Sequence, residues 1–170
     1  MTVDQSYLNG IQIQSEAVTS AVQDGSRFLT SSPNNHVLYK SLLDGSMMIP
    51  IFVWEFSNVY GFAIKGGDLF VLTDSNELVK LMIGPNFATI VSRTALSFPT
   101  KYITINNGSQ QGYALLANGT IATLDFDSGV VESFCDPDET GYENIGFNSA
   151  NQLVATKVPR IIDSFIEGRF

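Results

Sequence analysis

Asp136, Asp138 and Glu139 stand together in the run DPDETGYE, which also carries Glu143. Carboxylates gathered in one loop are the donors a calcium ion takes, because Ca2+ is a hard cation that collects oxygen ligands. The run DFDSG, Asp125 to Gly129, opens in a similar way, with oxygens at alternate positions and a glycine for a sharp turn. It is not completed by further ligands or by a terminal Glu at the required spacing. The sequence therefore offers Asp136, Asp138 and Glu139 as calcium candidates, set against a solvated acidic loop, which the scattered charge favours. No metal and no cofactor is the expectation.

His36 and Cys135 are the only residues of their types. A histidine beside a thiol could activate it as a nucleophile. A lone His next to the SPNN turn reads more simply as a turn partner. Cys135, between Phe134 and the acidic run, reads as a half-buried thiol at a strand end. No Gly-x-Ser-x-Gly elbow, phosphate loop or dinucleotide-binding glycine motif occurs. Paired carboxylates of the glycosidase type are neither favoured nor removed, since sequence gives no separations. The expectation is a protein that is not an enzyme. Asn107-Gly108-Ser109 and Asn118-Gly119-Thr120 match glycosylation sequons, and both read better as Asn-Gly hairpin turns.

The chain has 170 residues, of which 44% are hydrophobic and only 15% charged, with a net charge of −8. Nine basic residues without a cluster argue against binding nucleic-acid phosphates. Neutral polar residues replace the usual dense charge, which suits extensive protein contacts. One cysteine excludes an intrachain disulfide. MTVDQSYLNGIQIQSE has neither a basic start nor an apolar run, so a secretory signal is not expected. The longest apolar stretch, Met47 to Trp54, is broken by Pro50 and too short for membrane insertion.

Turn dipeptides punctuate the rest. Asp44-Gly45, Gly66-Gly67, Asn107-Gly108, Asn118-Gly119 and Asp127-Ser128-Gly129 each separate short β-branched or aromatic runs. This predicts an all-β domain of antiparallel hairpins over 25–158, either a propeller-like arc or a β-sandwich. Short helices are expected only near the termini: Ser15 to Val22 in an N-terminal arm of 1–24, and a turn in a C-terminal arm of 159–170. LFVL (69–72) and IFVWEF (51–56) are apolar on both faces, as strands stacked between neighbouring sheets would be.

Glycine-aromatic hairpins recur at Phe28, Phe62, Tyr113 and Phe147, 34, 51 and 34 residues apart. In each, a short strand, a polar turn and a second apolar strand follow one another. The pattern resembles the hairpin of a β-propeller blade, and so resembles β-propeller repeat proteins in general, over Gly25 to Val158. The Trp-Asp signature is absent, and the resemblance names no subfamily. It implies a scaffold for protein contacts. The functional expectation is a non-enzymatic structural subunit of a larger assembly, foremost a virion component such as a bacteriophage tail, connector or decoration protein. Such a subunit would be made in the host cytoplasm and joined to protein subunits as a homo- or hetero-oligomer, with no nucleic acid partner. The alternatives are a small glycan- or receptor-binding module and an acidic inhibitor of a nucleic-acid enzyme.

Overall fold

Short runs rich in β-branched and aromatic residues, broken by residues that tolerate tight turns, give strands of three to eight residues and leave little room for helix. The computed structural model describes residues 6–8, 11–14, 20–24, 27–32, 37–42, 49–53, 59–157 and 161–164, with side chains in 37–42, 49–53 and 59–157. These residues hold strands and no helix. It follows that none is long and apolar enough to cross a membrane. The helix expected over Ser15 to Val22 does not form as such, because Ser20, Ala21 and Val22 lie in a strand. Residues 15–19 lie outside the described residues. Val22 pairs with Leu29 across a ladder, and that tertiary pairing overrides a weak local helix preference.

Among the described residues, strands β1 (Ser6–Leu8) and β2 (Ile11–Gln14) form a two-stranded sheet. β3 (Ser20–Asp24), β4 (Arg27–Ser32), β5 (Val37–Leu42) and β6 (Ile49–Val53) then form a four-stranded sheet in sequence order. β7 (Val59–Lys65), β8 (Asp68–Thr73), β9 (Glu77–Ile83) and β10 (Ala88–Ala95) form a second. β11 (Thr100–Ile105), β12 (Gly112–Leu116), β13 (Ile121–Asp125) and β14 (Val130–Phe134) form a third. β15 (Tyr142–Phe147), β16 (Leu153–Lys157) and β17 (Ile161–Ser164) close the series as a three-stranded sheet. Hairpin neighbours pair antiparallel throughout, from β3 with β4 to β16 with β17.

The chain divides into two compact units: Met1–Ser75 with Val79–Arg93, and Asn76–Leu78 with Thr94–Phe170. The first packs Leu38, Val59, Phe62, Leu69, Val71 and Leu81 into one core, drawn from two neighbouring sheets. The second packs Leu115, Ile121, Tyr142, Ile145 and Leu153. Sheets that bury both faces explain the continuous apolar run of β8, where Leu69 to Thr73 are all buried. Of IFVWEF, the described residues are mixed, with Ile51 buried and Phe52 half-buried. Val53, at the end of β6, is 71% exposed, because β6 is the last strand of its sheet. Residues 54–58 lie outside the described residues. β10 and β14, also last in their sheets, are largely exposed as well.

β3, β7, β11 and β15 begin at Ser20, Val59, Thr100 and Tyr142, so the repeat is 39, 41 and 42 residues long. The glycine-aromatic pattern gave unequal spacings because it mixed strands. Phe28 and Tyr113 lie in the second strand of their sheets, Phe62 and Phe147 in the first. The turns between first and second strands differ in length, with two residues between β7 and β8, six between β11 and β12 and five between β15 and β16. Each carries a left-handed residue near its end, Gly67, Gln110 and Asn151, with φ of 85°, 60° and 59°.

Gln110 is the costly one, since a side chain in left-handed backbone is strained. Its amide donates to Asn107 O within the same loop (3.1 Å). Gln110→Gly is expected to raise stability by about 0.5–1 kcal/mol. The check is a higher urea midpoint at unchanged slope. An unchanged or lower midpoint would show that the loop gains nothing from relaxed backbone.

Candidate functional site

Cys135 lies just past β14, where its N–H donates to Ile121 O (2.9 Å) and its side chain enters the second unit's core. Burial, reinforced by the neighbouring Asp136 carboxylate, pushes the thiol up to about 12. The thiolate is the nucleophile, so this cysteine is inert at neutral pH. His36 lies outside the described residues.

Two outcomes are expected. Iodoacetamide at pH 8 should label Cys135 at least tenfold more slowly in the native protein than in urea; equal rates would place the thiol at the surface. The folded chain also keeps this proton to about pH 12, whereas an unfolded thiol releases it near about pH 8.5. Stability is therefore intact below about pH 8.5 and falls toward pH 12, by up to about 1.4 kcal/mol per pH unit. Burial raises Tyr102 as well, and raises Tyr113 together with Cys135, which adds to the same alkaline loss. A Cys135→Ala variant should lose stability less steeply across that range.

The calcium candidates are not gathered. Asp138 is exposed and Asp136 half-buried, while the Glu139 carboxylate pairs with the Lys157 ammonium. Among the described residues no three His, Cys, Asp or Glu side chains group to hold a metal. Glu139 N–H donates to Asp136 O (3.1 Å), which makes the run a turn. The Asp125 carboxylate is engaged by its own loop. Its Oδ1 accepts from Asp127 N–H (3.0 Å) and its Oδ2 from the Ser128 hydroxyl (2.7 Å). Both sequon asparagines sit in turns, with Asn118 Oδ1 accepting from Thr120 N–H (2.9 Å).

What sequence reading missed is an apolar cleft in the second unit. Phe98, Pro99, Leu116, Ala117 and Asn118 line about 180 Å³. The segment joining β10 to β11 forms one wall and is pinned by Asn76. Asn76 Nδ2 donates to Leu96 O (3.4 Å) and Phe98 O (3.1 Å), and its Oδ1 accepts from Thr100 N–H (2.9 Å). The β12–β13 turn forms the other wall, with Ala117 N–H donating to Pro99 O (2.8 Å). Backbone ties on both sides hold the segment that carries the Phe98 ring. Phe134 meets it edge-on, centroids 5.7 Å apart at 85°.

These rings are 43% and 42% exposed. The count of phenylalanines suggested core filling, and Phe62, Phe70 and Phe126 do fill it. Phe98 and Phe134 do not. The one sequence signal was Phe98-Pro99 between two β runs, since proline holds an extended connection at the surface.

No protein-family model matches the chain, and no curated protein matches it in sequence. Solved structures do. The chain is similar to the β-propeller domain of Myceliophteria thermophila Cps50 (Swd1), at 15% identity and a TM-score of 0.68, over 91% of this chain and 54% of that one. The fold is of the β-propeller type. A chain of the nidogen/laminin complex matches at 13% identity and a TM-score of 0.63, over 90% of this chain and 65% of that one. The computationally designed Ika4 protein matches at 13% identity and a TM-score of 0.57, over 94% of this chain and 97% of that one. The chain thus spans about half the length of the Cps50 propeller domain. Each sheet of β3–β6, β7–β10 and β11–β14 corresponds to one four-stranded blade, whose last strand is the exposed one.

Proposed function

We propose that this propeller-type chain is a non-enzymatic protein-interaction module, working as a structural subunit of a larger assembly. The observation that carries this reading is the pair Phe98 and Phe134, two large rings held half-exposed beside an apolar cleft. Exposed aromatics rigidly placed in one patch mark surfaces that another protein covers. An inert cysteine and carboxylates tied into their own turns agree with a role other than catalysis. The finer proposal is that the assembly is a virion, with the chain made in the host cytoplasm and then built into the particle. The low share of charged residues, 15%, which suits extensive protein contacts, supports it.

The experiment is sizing of the tagged full-length chain in extracts of cells that make it. The wild type is expected well above 18.5 kDa, and a Phe98→Ser/Phe134→Ser variant of equal thermal stability is expected near the mass of one chain. Both chains running near 18.5 kDa would overturn the reading. For the virion proposal, purified particles should contain the chain in a fixed copy ratio. A chain confined to the soluble extract would sink that part alone.

A further inference from the structure

From the second unit alone we infer that the Phe98 cleft receives a basic segment of a different protein, with one phenylalanine or leucine side chain as its anchor. The inference rests on the interaction reading above and names the chemistry of the partner. The first argument is size. A cavity of about 150 Å³ holds a benzene ring, so about 180 Å³ of apolar space takes one ring or branched aliphatic group. The entering side chain would meet the Phe98 ring, Leu116 and Pro99, with Asn118, whose Oδ1 already accepts from Thr120 N–H, as the polar residue of the lining.

The second argument is charge. Between Thr94 and Lys157 the sequence carries seven acidic residues and only Lys101 and Lys157 as basic ones. Both lysines are already engaged. Lys101 Nζ donates to Tyr142 O (3.4 Å). Lys157 pairs with Glu139 and lies 4.5 Å from the Tyr142 ring centroid. The acidic run starts two residues past Phe134. It is fastened to the cleft rim, because Gly141 N–H donates to Asn118 O (3.4 Å) and Tyr142 N–H to Gly119 O (3.1 Å). An apolar pocket whose rim is bonded to the run that carries Asp136 and Asp138 selects lysine or arginine on either side of an apolar anchor, by attraction of opposite charge. A second copy of this chain carries the same net −8, so like charge disfavours it as the occupant.

The test uses the full chain and a fluorescein-labelled heptapeptide, in which one phenylalanine is flanked on each side by lysines, read by fluorescence anisotropy. Saturable binding is expected, at least tenfold weaker for the peptide with glycine in place of phenylalanine. It should also be at least tenfold weaker for Phe98→Ala, and several-fold weaker for Asp136→Asn/Asp138→Asn. These variants change exposed or half-buried side chains, and a thermal melt confirms that each is folded. Raising the salt should weaken binding further, as screening requires. Equal binding of a peptide with glutamates in place of lysines would overturn the basic partner and leave the interaction reading standing. So would the absence of any peptide binding while the large complex in cell extracts still depends on Phe98 and Phe134. If no peptide binds and no complex forms, both readings fall.

Discussion

Gly119→Ala is expected to cost the second unit about 3–4 kcal/mol, close to the upper end for a single substitution. Gly119 closes the β12–β13 turn with a φ of 82°. Its N–H donates to Leu116 O (2.9 Å), while Leu116 N–H donates to Thr120 O (2.9 Å). This is a tight turn finished by a left-handed residue rather than a two-residue loop with both residues left-handed. A methyl group there would lie 2.4 Å from Gly141 N, 2.7 Å from Gly141 Cα and 2.8 Å from Tyr142 N. All three are backbone atoms, which cannot rotate aside as a side-chain end could.

The β14–β15 connection would have to retreat, breaking the bonds from Gly141 and Tyr142 to the turn at roughly 1 kcal/mol each. Left-handed strain adds about 1 kcal/mol or more. Gly141→Ala is the internal control: Gly141 has a φ of 84° and nothing within 4 Å of the added carbon. It should show the strain alone, about 1–2 kcal/mol. Urea unfolding followed by far-UV circular dichroism separates the two. If Gly119→Ala costs no more than Gly141→Ala, the contact with the neighbouring connection does not constrain the turn. Because this turn is also one wall of the cleft, Gly119→Ala should loosen peptide binding where Gly141→Ala does not.

Much of the architecture was legible because turns are local. Gly66-Gly67, Asn118-Gly119 and Asp127-Ser128-Gly129 all fall between paired strands, since small residues and Asx turns act over a few residues of chain. The repeat length was not legible from aromatics. First and second strands of a blade both send residues into the core, so either can carry Phe or Tyr next to glycine, as Phe62 in β7 and Tyr113 in β12 do. Alignment by turns would not have found it either, because these connections run two, six and five residues and share only a left-handed residue near their ends, Gly67, Gln110 and Asn151. Only one of the three is glycine, so that signal is hidden in sequence.

The cleft was hidden for a different reason. Phe98 and Phe134 come from segments 36 residues apart, and their exposure depends on strand order within the sheet. β14 ends its sheet, so Phe134 has no further strand to cover it, whereas Phe126, just past the third strand, is 1% exposed. The acidic run was visible as a cluster, but its chemistry depends on Lys157, 18 residues beyond Glu139 along the chain. Burial of Cys135 likewise comes from Tyr142 and Ile121 across the core, and the same core holds up the cleft wall.

That shared core makes Tyr142→Ala the other large expected loss, about 3–5 kcal/mol, in the range for deleting a buried aromatic ring. Tyr142 is 1% exposed and packs with Leu115, Ile121, Ile145, Leu153 and Ala155. Lys157 lies 4.5 Å from its ring centroid, a cation held there by Glu139 and attracted to the ring face. Removing the ring opens a cavity and takes away what positions Lys157. Tyr142→Leu keeps much of the apolar volume and should recover more than half of the loss. A double-mutant cycle with Lys157→Met should leave a coupling of about 0.5–1 kcal/mol for the cation and the ring. Hydrogen exchange at Leu115 and Ile121 gives the readout, because both amides lie in strands against this core. Their protection should collapse in Tyr142→Ala and largely return in Tyr142→Leu. Protection unchanged in Tyr142→Ala would mean that Leu115 and Ile121 are held by their ladders alone. The cleft wall between them would then stand without the ring.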